Sequence, residues 1–308
     1  MKKAKLLLPV LAAAGAYAVG SQALFSVASR RDSLWLRLPK KEKADEYESL
    51  VSSFRARMAE KEMTDLTIYS RDGLKLTAHW YPAQDAKRTI VLVHGWRSAW
   101  YRDFAGIAED LHDGGANLLF IEQRAHGESE GEYISYGLME RYDVADWACR
   151  AAEFAGSALP MYLFGVSMGA STVMMASALH PAGVVAVVED CGYTSAYTMF
   201  TEQLEKIFGL PEFPVMPCVD LVSRFKMGCA LSDANPLESV RRASLPMLFI
   251  HGDGDQLVPY GMMQELYDAS SATKKEALTV IGAGHASSKA ADPEKYFQKI
   301  FSFLEPYM

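Results

Sequence analysis

Short apolar segments alternate with longer amphipathic segments through most of this sequence, and that alternation restricts the fold to a few architectures. The apolar segments are four to six residues long, and most are followed by a segment with helical periodicity. They are Thr89–Val93, Asn117–Ile121, Met161–Phe164, Val184–Glu189, Met247–Ile250 and Ala277–Ile281. Uninterrupted apolar runs of this length predict parallel strands that are buried on both faces between layers of helices.

Two further strands are predicted before this alternation begins. Leu66–Tyr69 and Leu74–Tyr81 are separated by Arg71-Asp72-Gly73, a turn sequence that favours a hairpin of two antiparallel strands. The sequence therefore predicts an α/β protein whose sheet is mostly parallel, opened by an antiparallel hairpin, with helices on both faces.

One long segment interrupts the alternation between Cys191 and Pro246. It contains Pro211, Pro214 and Pro217 and no clear strand, so it is expected to form a helical cap over the sheet. Its large side chains either contact an uncharged acyl group or pack the cap onto the body. These side chains belong to Tyr193, Tyr197, Met199, Phe200, Leu204, Phe208 and Phe213.

A GxSxG pentapeptide lies between a predicted strand and a predicted helix. Gly165-Val166-Ser167-Met168-Gly169 follows the apolar run that ends at Phe164 and opens the apolar stretch Met168–Leu179. That position is typical of a nucleophile elbow, in which the serine stands on a strained turn and Gly165 and Gly169 leave room for neighbouring backbone. Ser167 is therefore the candidate nucleophile.

A serine nucleophile needs a histidine base, and the base needs a carboxylate that orients it. His285 lies in the loop after the last predicted strand, which ends at the same sheet edge as the elbow. Asp255 is the preferred carboxylate, because the segment that follows it can fix the loop, and Asp253 is the alternative. Glu189 and Asp190 are more distant alternatives.

The chain order Ser167, Asp255, His285 is that of the α/β-hydrolase superfamily. From about Thr64 to its end, the chain resembles this superfamily, particularly the bacterial branch grouped with serine aminopeptidases, esterases and monoacylglycerol-lipase-like enzymes. The resemblance implies the α/β-hydrolase fold with a helical cap insertion. It also implies a serine hydrolase that requires no cofactor and no metal.

Two loops carry the same resemblance. Val93-His94-Gly95-Trp96 is similar to the family's HG loop, which implies an oxyanion hole built from the backbone amides of Trp96 and Met168. Glu122 to Ser129 resembles the family's D-x-R-G-H-G-x-S loop, but it has Glu122 for Asp and Ala125 for Gly. We interpret that loop as structural, with Arg124 and His126 satisfying its hydrogen bonds, and His94 as a brace.

The expected reaction is hydrolysis of a carboxylic ester with a small or lipid-like acyl group. A peptidase, an amidase or an acyltransferase would use the same three residues, and a membrane-tethered binding protein that has lost activity is an alternative of another class. The formal net charge of −7 argues against a nucleic-acid partner. Four scattered cysteines form no zinc motif, and they do not decide whether a disulfide forms. The oligomeric state is not predicted.

The N-terminus is expected to reach a membrane. Leu6–Ser29 is a run of 24 uncharged residues between Lys5 and Arg30, which is long enough to span a bilayer. We favour an uncleaved anchor with the chain on the extracytoplasmic side. The alternative is a secreted protein whose signal segment is cleaved near the small residues Ala16 and Ala18.

The predicted organisation is a membrane anchor or signal at residues 1–30, a charged helical linker at 31–63 and a hydrolase domain at 64–308, with the cap at about 192–245. The linker helix is expected either to stand beside the membrane or to pack on the catalytic body. Removal of residues 1–30 is expected to leave the chemistry unchanged.

Overall fold

The computed structural model describes residues 17, 19–33, 45–155 and 159–307. Its centre is one sheet of eight strands in the order β1-β2-β4-β3-β5-β6-β7-β8. The strands are β1 (Thr64–Tyr69), β2 (Lys75–Tyr81), β3 (Arg88–Val93), β4 (Ala116–Ile121), β5 (Met161–Val166), β6 (Val184–Asp190), β7 (Met247–Gly252) and β8 (Lys275–Val280). β2 is antiparallel to both β1 and β4, and the strands from β3 onward pair in parallel. The predicted mixed sheet with its opening hairpin is confirmed.

Helices cover the sheet on both sides. They are α1 (residues 19–29), α2 (Asp45–Ala59), α3 (Trp100–Asp103), α4 (Ala108–Asp113), α5 (Glu140–Ala155), α6 (Met168–Ser177), α7 (Ala196–Phe208), α8 (Glu212–Met227), α9 (Pro236–Val240), α10 (Tyr260–Ala269), α11 (Ser288–Ala291) and α12 (Pro293–Leu304). Gly106 lies between α3 and α4 with φ +72, a conformation that residues with a side chain rarely adopt.

The two sides of the sheet form two apolar cores because side chains alternate along each strand. In β3, Ile90 and Leu92 belong to one core, while Val91 and Val93 belong to the other. All six residues of β3 are buried, so both faces of this strand are covered. The uninterrupted apolar runs of the sequence follow from this double burial.

Helix α2 packs on the first of these cores. Val51, Phe54 and Met58 lie three and four residues apart, share one face of the helix and are buried. Of the two arrangements left open by the sequence, this contact favours a helix packed on the catalytic body.

Between β6 and β7 the chain leaves the sheet and forms α7, α8 and α9. Tyr193 and Leu204 are buried in a third apolar cluster, whereas Phe208 and Phe213 are exposed. The apolar side chains of this segment therefore divide between the inside of the protein and its surface.

The predicted membrane location through a single N-terminal segment is wrong. In the part of the chain that the structure describes, no helix has both the length and the apolar character needed to cross a bilayer. Residues 19–29 instead pack on the protein, where Phe25 is 1% exposed and Ser21 and Ser29 are also buried. Ser21, Phe25 and Ser29 recur every four residues, so one face of this helix packs on the protein. The rest of the predicted anchor, residues 1–16 and 18, lies outside the described residues.

Candidate active site

The sharp turn between β5 and α6 carries Ser167. Its backbone has φ 57 and ψ −119, which is unusual for a residue with a side chain. The turn is crowded, because a Cβ on Gly165 would overlap the carbonyl of Gly169, and a Cβ on Gly169 would overlap that of Val93. The two glycines therefore allow β3, β5 and α6 to meet at this turn.

Three side chains that are far apart in sequence form a hydrogen-bonded chain at the carboxyl edge of the sheet. Ser167 Oγ lies 2.8 Å from Nε2 of His285, and Nδ1 of His285 lies 2.7 Å from Oδ2 of Asp255. Asp255 follows β7 and His285 follows β8, so parallel pairing brings their loops to the edge where β5 ends. The Asp255 carboxylate is fully buried, and the His285 side chain is 21% exposed.

The carboxylate of Asp255 is held in its charged form. Oδ1 accepts hydrogen bonds from the amides of Leu257 and Val258, at 2.8 and 2.9 Å. Burial opposes the charge, but the hydrogen bonds from His251 and His285 and the charge of His285 outweigh burial and hold the pKa of Asp255 well below its usual range. Asp255 is therefore an anionic acceptor beside His285 at neutral pH.

His251 is a second histidine at Asp255, and sequence reasoning did not select it. Its Nε2 lies 3.0 Å from the Val258 carbonyl and 3.3 Å from Oδ2 of Asp255. Burial lowers the pKa of His251, but the hydrogen bond to Asp255 opposes burial, and the net pKa is raised. Its position in the sequence, at the buried end of β7, gave no sign of this contact.

The alternative acid is not brought to His285. Asp253 is exposed and accepts a hydrogen bond from the amide of Gly282, at 2.6 Å, so it shapes the turn between its loop and the loop after β8. The distant alternatives also have other partners. Asp190 accepts from the hydroxyls of Tyr296 and Ser288, and Glu189 accepts from the amide of Gly192, at 2.9 Å.

The protonation state of Glu189 can be tested through the pH dependence of the unfolding free energy. Burial raises the pKa of its carboxyl from 4.5 to about 8, with the nearby His251 opposing, so the folded protein keeps this group protonated where the unfolded chain ionises it. The contribution of this one group to stability is then largest below about pH 4.5 and falls as the pH rises towards 8. We expect Glu189→Gln to flatten the dependence of unfolding free energy on pH between 5 and 8, by up to about 1.4 kcal/mol per pH unit.

The measurement is urea unfolding of the wild type and Glu189→Gln at several pH values. Glu276→Gln is the matched control, because Glu276 is paired with Lys299 at 2.7 Å at the protein surface and its pKa is lowered. Parallel pH profiles for the wild type and Glu189→Gln would contradict the assignment of a protonated Glu189.

The HG loop lies directly against Ser167. A Cβ on Gly95 would lie 3.2 Å from Cβ of Ser167, so only glycine allows this approach without displacement. Among the residues that the structure describes, no protein acceptor is recorded for the backbone amide of Trp96 or of Met168. Two unengaged amides that flank a serine in this way are suited to bind an oxyanion.

Side chains around the HG loop fix its backbone. Asp103, at the end of α3, accepts from the Gly95 amide at 2.6 Å and from the Ser98 hydroxyl. His94 donates from Nδ1 to the Gly95 carbonyl at 2.8 Å and accepts at Nε2 from the Gln123 amide at 3.2 Å. Asp103 was missed by sequence reasoning, because an acidic residue in a short helix is ordinary.

The loop from Glu122 to Ser129 contacts the HG loop and supports it. Arg124 is buried and forms ion pairs with Asp143, at 2.7 Å, and with Asp72, at 2.9 Å. His126 accepts at Nε2 from the amide of Arg97, at 3.0 Å. Burial and the neighbouring His94 lower the pKa of His126 to about 3, so it remains a neutral acceptor.

The cysteines are four free thiols. In the described part of the chain, the group with metal-ligand spacing is Cys191, Asp255 and His285, whose ligand atoms lie within 4.8 Å of one another. Asp255 and His285 already bond to each other, and burial raises the pKa of the Cys191 thiol well above its usual value. A protonated thiol is a poor metal ligand.

The sequence is similar to those of several known proteins. The model of the serine aminopeptidase family, S33, matches residues 84–209. An uncharacterised protein of Bacillus subtilis, YqkD, is 25% identical over 249 residues, which are 79% of this chain and 80% of that protein. A monoacylglycerol lipase of Mycolicibacterium smegmatis is 26% identical over 223 residues, covering 61% of this chain and 78% of the lipase.

Solved structures share the same architecture. The esterase Pf2001 of Pyrococcus furiosus superposes with a TM-score of 0.66 at 21% identity, covering 87% of this chain and 96% of the esterase. At this level of sequence identity, the likeness concerns the fold alone. The chain therefore has the α/β-hydrolase fold, and the proteins that it resembles include an esterase and a lipase.

Proposed function

We propose that this chain is a serine hydrolase that cleaves carboxylic esters through an acyl-enzyme. The observation that carries the proposal is the hydrogen-bonded chain from Ser167 Oγ through His285 to Asp255, with distances of 2.8 and 2.7 Å. Both distances are those of formed hydrogen bonds, so proton transfer from the hydroxyl to the imidazole needs no rearrangement. The proposed catalytic domain spans residues 64–308, with the cap at about 192–245.

In the first half of the reaction, Ser167 Oγ forms a bond to the ester carbonyl carbon while its proton moves to Nε2 of His285. The tetrahedral intermediate then loses the alcohol, which takes the proton from His285. In the second half, water attacks the carbonyl carbon of the acyl-enzyme and gives a proton to Nε2 of His285. The bond from this carbon to Ser167 Oγ then breaks, the carboxylic acid leaves, and His285 returns the proton to Oγ. Asp255 holds the Nδ1–H of His285 throughout, which fixes the tautomer and stabilises the imidazolium.

The negative oxygen of each tetrahedral intermediate is stabilised by the amides of Trp96 and Met168. Met168 is the first residue of α6, so its amide is aligned with the positive end of the helix dipole. Asp103 and His94 hold the loop that supplies the other amide. Donors fixed before the reaction stabilise the transition state without reorganisation.

The surroundings of Met168 favour an uncharged acyl group. Its side chain is buried in the third apolar cluster with the buried side chains of Tyr193, Met216 and Val258. Partly exposed apolar side chains pack against this cluster, among them Trp96, Tyr197 and Phe200. An acyl chain that covers them removes apolar area from water, at about 25 cal/mol per Å². Together with the similarity to a monoacylglycerol lipase and to an esterase, this supports a small or lipid-like acyl ester as the substrate.

A substrate panel tests the reaction class. We expect hydrolysis of p-nitrophenyl esters with acyl chains of two to twelve carbons, at kcat/KM values on the order of 100-fold or more above those for aminoacyl p-nitroanilides. A fluorophosphonate probe should label Ser167, read out by mass spectrometry of the labelled peptide. A preference for the anilides would indicate an aminopeptidase, and failure of the probe to label would indicate a scaffold without hydrolase activity.

A further inference from the structure

Residues 19–33, called the N-terminal strap below, end beside the HG loop. The guanidinium of Arg97 donates to four backbone carbonyls of the strap. Nη2 lies 3.0 Å from the carbonyl oxygen of Val27, 3.3 Å from that of Ala28 and 2.6 Å from that of Arg30, and Nη1 lies 3.2 Å from that of Arg31. The last carbonyls of a helix lack intrahelical partners and carry its negative dipole end, so a cation is favoured here.

The neighbouring residue of the HG loop is tied to the same place. The indole Nε1 of Trp96 donates to the carbonyl of Ala28, at 3.0 Å. Arg97 itself has φ 50, a left-handed conformation that the loop must maintain against its intrinsic cost. Two consecutive side chains therefore connect the strap to the peptide that carries the proposed Trp96 oxyanion donor.

The strap is in turn fixed to the body. The amide of Arg31 donates to the Glu132 carbonyl at 2.8 Å, and the amide of Ile134 donates to the Ser29 carbonyl at 2.7 Å. The ring of Phe25 is buried, with its centroid 5.5 Å from that of Tyr133. These contacts hold the strap independently of Arg97, so the strap can serve as a fixed support for the loop.

We propose that the N-terminal strap is a positioning element of the oxyanion hole, acting through Arg97 and the side chain of Trp96 on the Trp96 amide. This inference rests on the proposed function. Oxyanion donors must be held within about 0.5 Å of their productive position, and supporting residues set that tolerance. The inference replaces the sequence-based expectation that residues 1–30 are dispensable for the chemistry.

Arginine suits this role better than lysine. Its planar guanidinium presents five donors in a fixed fork, whereas an ammonium offers three donors on a flexible stem. Arg97→Lys should therefore retain part of the support, and Arg97→Ala should retain none. The graded pair distinguishes loss of hydrogen bonds from a general disturbance of the loop.

The test compares full-length Arg97→Ala and Arg97→Lys with the wild type. We expect Arg97→Ala to lower kcat for a p-nitrophenyl ester about 10- to 100-fold while KM changes less than about threefold, since the oxyanion contact is made mainly in the transition state. Affinity for an alkyl boronic acid, whose adduct with serine is tetrahedral and anionic, should fall by a similar factor. The kcat and the boronic-acid affinity of Arg97→Lys should lie between those of the wild type and Arg97→Ala.

The matched control is Arg57→Ala. Arg57 also ties an N-terminal helix to the body, through two hydrogen bonds of 2.8 and 2.6 Å to Glu109, but it does not contact the HG loop. Its kcat and boronic-acid affinity should stay at wild-type values. From the side of the strap, Phe25→Ala should reproduce the kcat loss of Arg97→Ala, because it loosens the support without touching the loop.

The experiment distinguishes failure of the proposed function from failure of the proposed role of the strap. A wild type that neither hydrolyses esters nor reacts with a fluorophosphonate contradicts the proposed function itself. An active wild type whose Arg97→Ala variant keeps its kcat and boronic-acid affinity overturns the role of the strap, as does an equal loss in Arg57→Ala. If Arg97→Ala does not fold, Arg97→Lys and Phe25→Ala decide the question by the same two readouts, kcat and boronic-acid affinity. Each variant is then assayed at the same interval below its own thermal unfolding midpoint.

Discussion

Replacing Ser167 with alanine is expected to lower kcat for ester hydrolysis by roughly 10⁴- to 10⁶-fold, because removal of a triad nucleophile leaves only the weak catalysis of the oxyanion hole and binding. The fold should remain, since the recorded partner of the hydroxyl is His285 and the backbone hydrogen bonds of the elbow do not involve the side chain. The measurements are steady-state kinetics with a p-nitrophenyl ester, fluorophosphonate labelling and thermal unfolding.

Ser177→Ala is the matched control for this variant. Ser177 lies at the other end of α6, is buried, and donates to the carbonyl of Met174 at 2.7 Å. Its loss should lower stability by about 1 kcal/mol while leaving kcat unchanged. Ester hydrolysis by Ser167→Ala at a rate near that of the wild type would exclude Ser167 as the nucleophile.

The second large effect is expected for Asp255→Asn, which should lower kcat by roughly 10³- to 10⁴-fold. An amide in place of Oδ2 presents N–H towards Nδ1 of His285, which favours the tautomer that cannot accept the serine proton. The loop itself should persist, because an amide oxygen can still accept from Leu257 and Val258 as Oδ1 does. The measurement is kcat across pH 6 to 9, with circular dichroism to monitor the fold.

Asp253→Asn is the control, because it lies two residues away in the same loop and makes its hydrogen bond to Gly282 instead. Its effect on kcat should stay below about tenfold, as expected for a residue that shapes a turn. A larger loss in Asp253→Asn than in Asp255→Asn would transfer the orienting role to Asp253.

Much of the fold was predictable because its signals are local. A strand buried on both faces must be apolar along its whole length, so Thr89–Val93 could be identified without any knowledge of its neighbours. The elbow at Ser167 was equally visible, since a strand, two glycines and a helix within a few residues satisfy one steric requirement. The order of strands along the chain then implied that the loops carrying Asp255 and His285 meet at one edge.

The remaining features depend on contacts between distant segments. Asp103 and Arg97 are ordinary residues until the fold places them beside the HG loop. The uncharged run that ends at Ser29 was interpreted as a membrane segment, because burial in lipid and burial in protein select the same apolar composition. The carbonyls of Val27, Ala28, Arg30 and Arg31 accept hydrogen bonds from Arg97, so the end of this segment contacts the protein. No sequence pattern indicates these contacts.

The backbone of Ser167 has a thermodynamic consequence. A residue with a side chain at φ 57 and ψ −119 costs the folded state about 1–3 kcal/mol, which glycine at the same position would largely avoid. That is a sizeable fraction of the 5–15 kcal/mol by which a typical domain is stable. A scaffold that only bound its ligand would be more stable with glycine here. Under the proposed function, serine at this position exchanges stability for the reactivity of one hydroxyl.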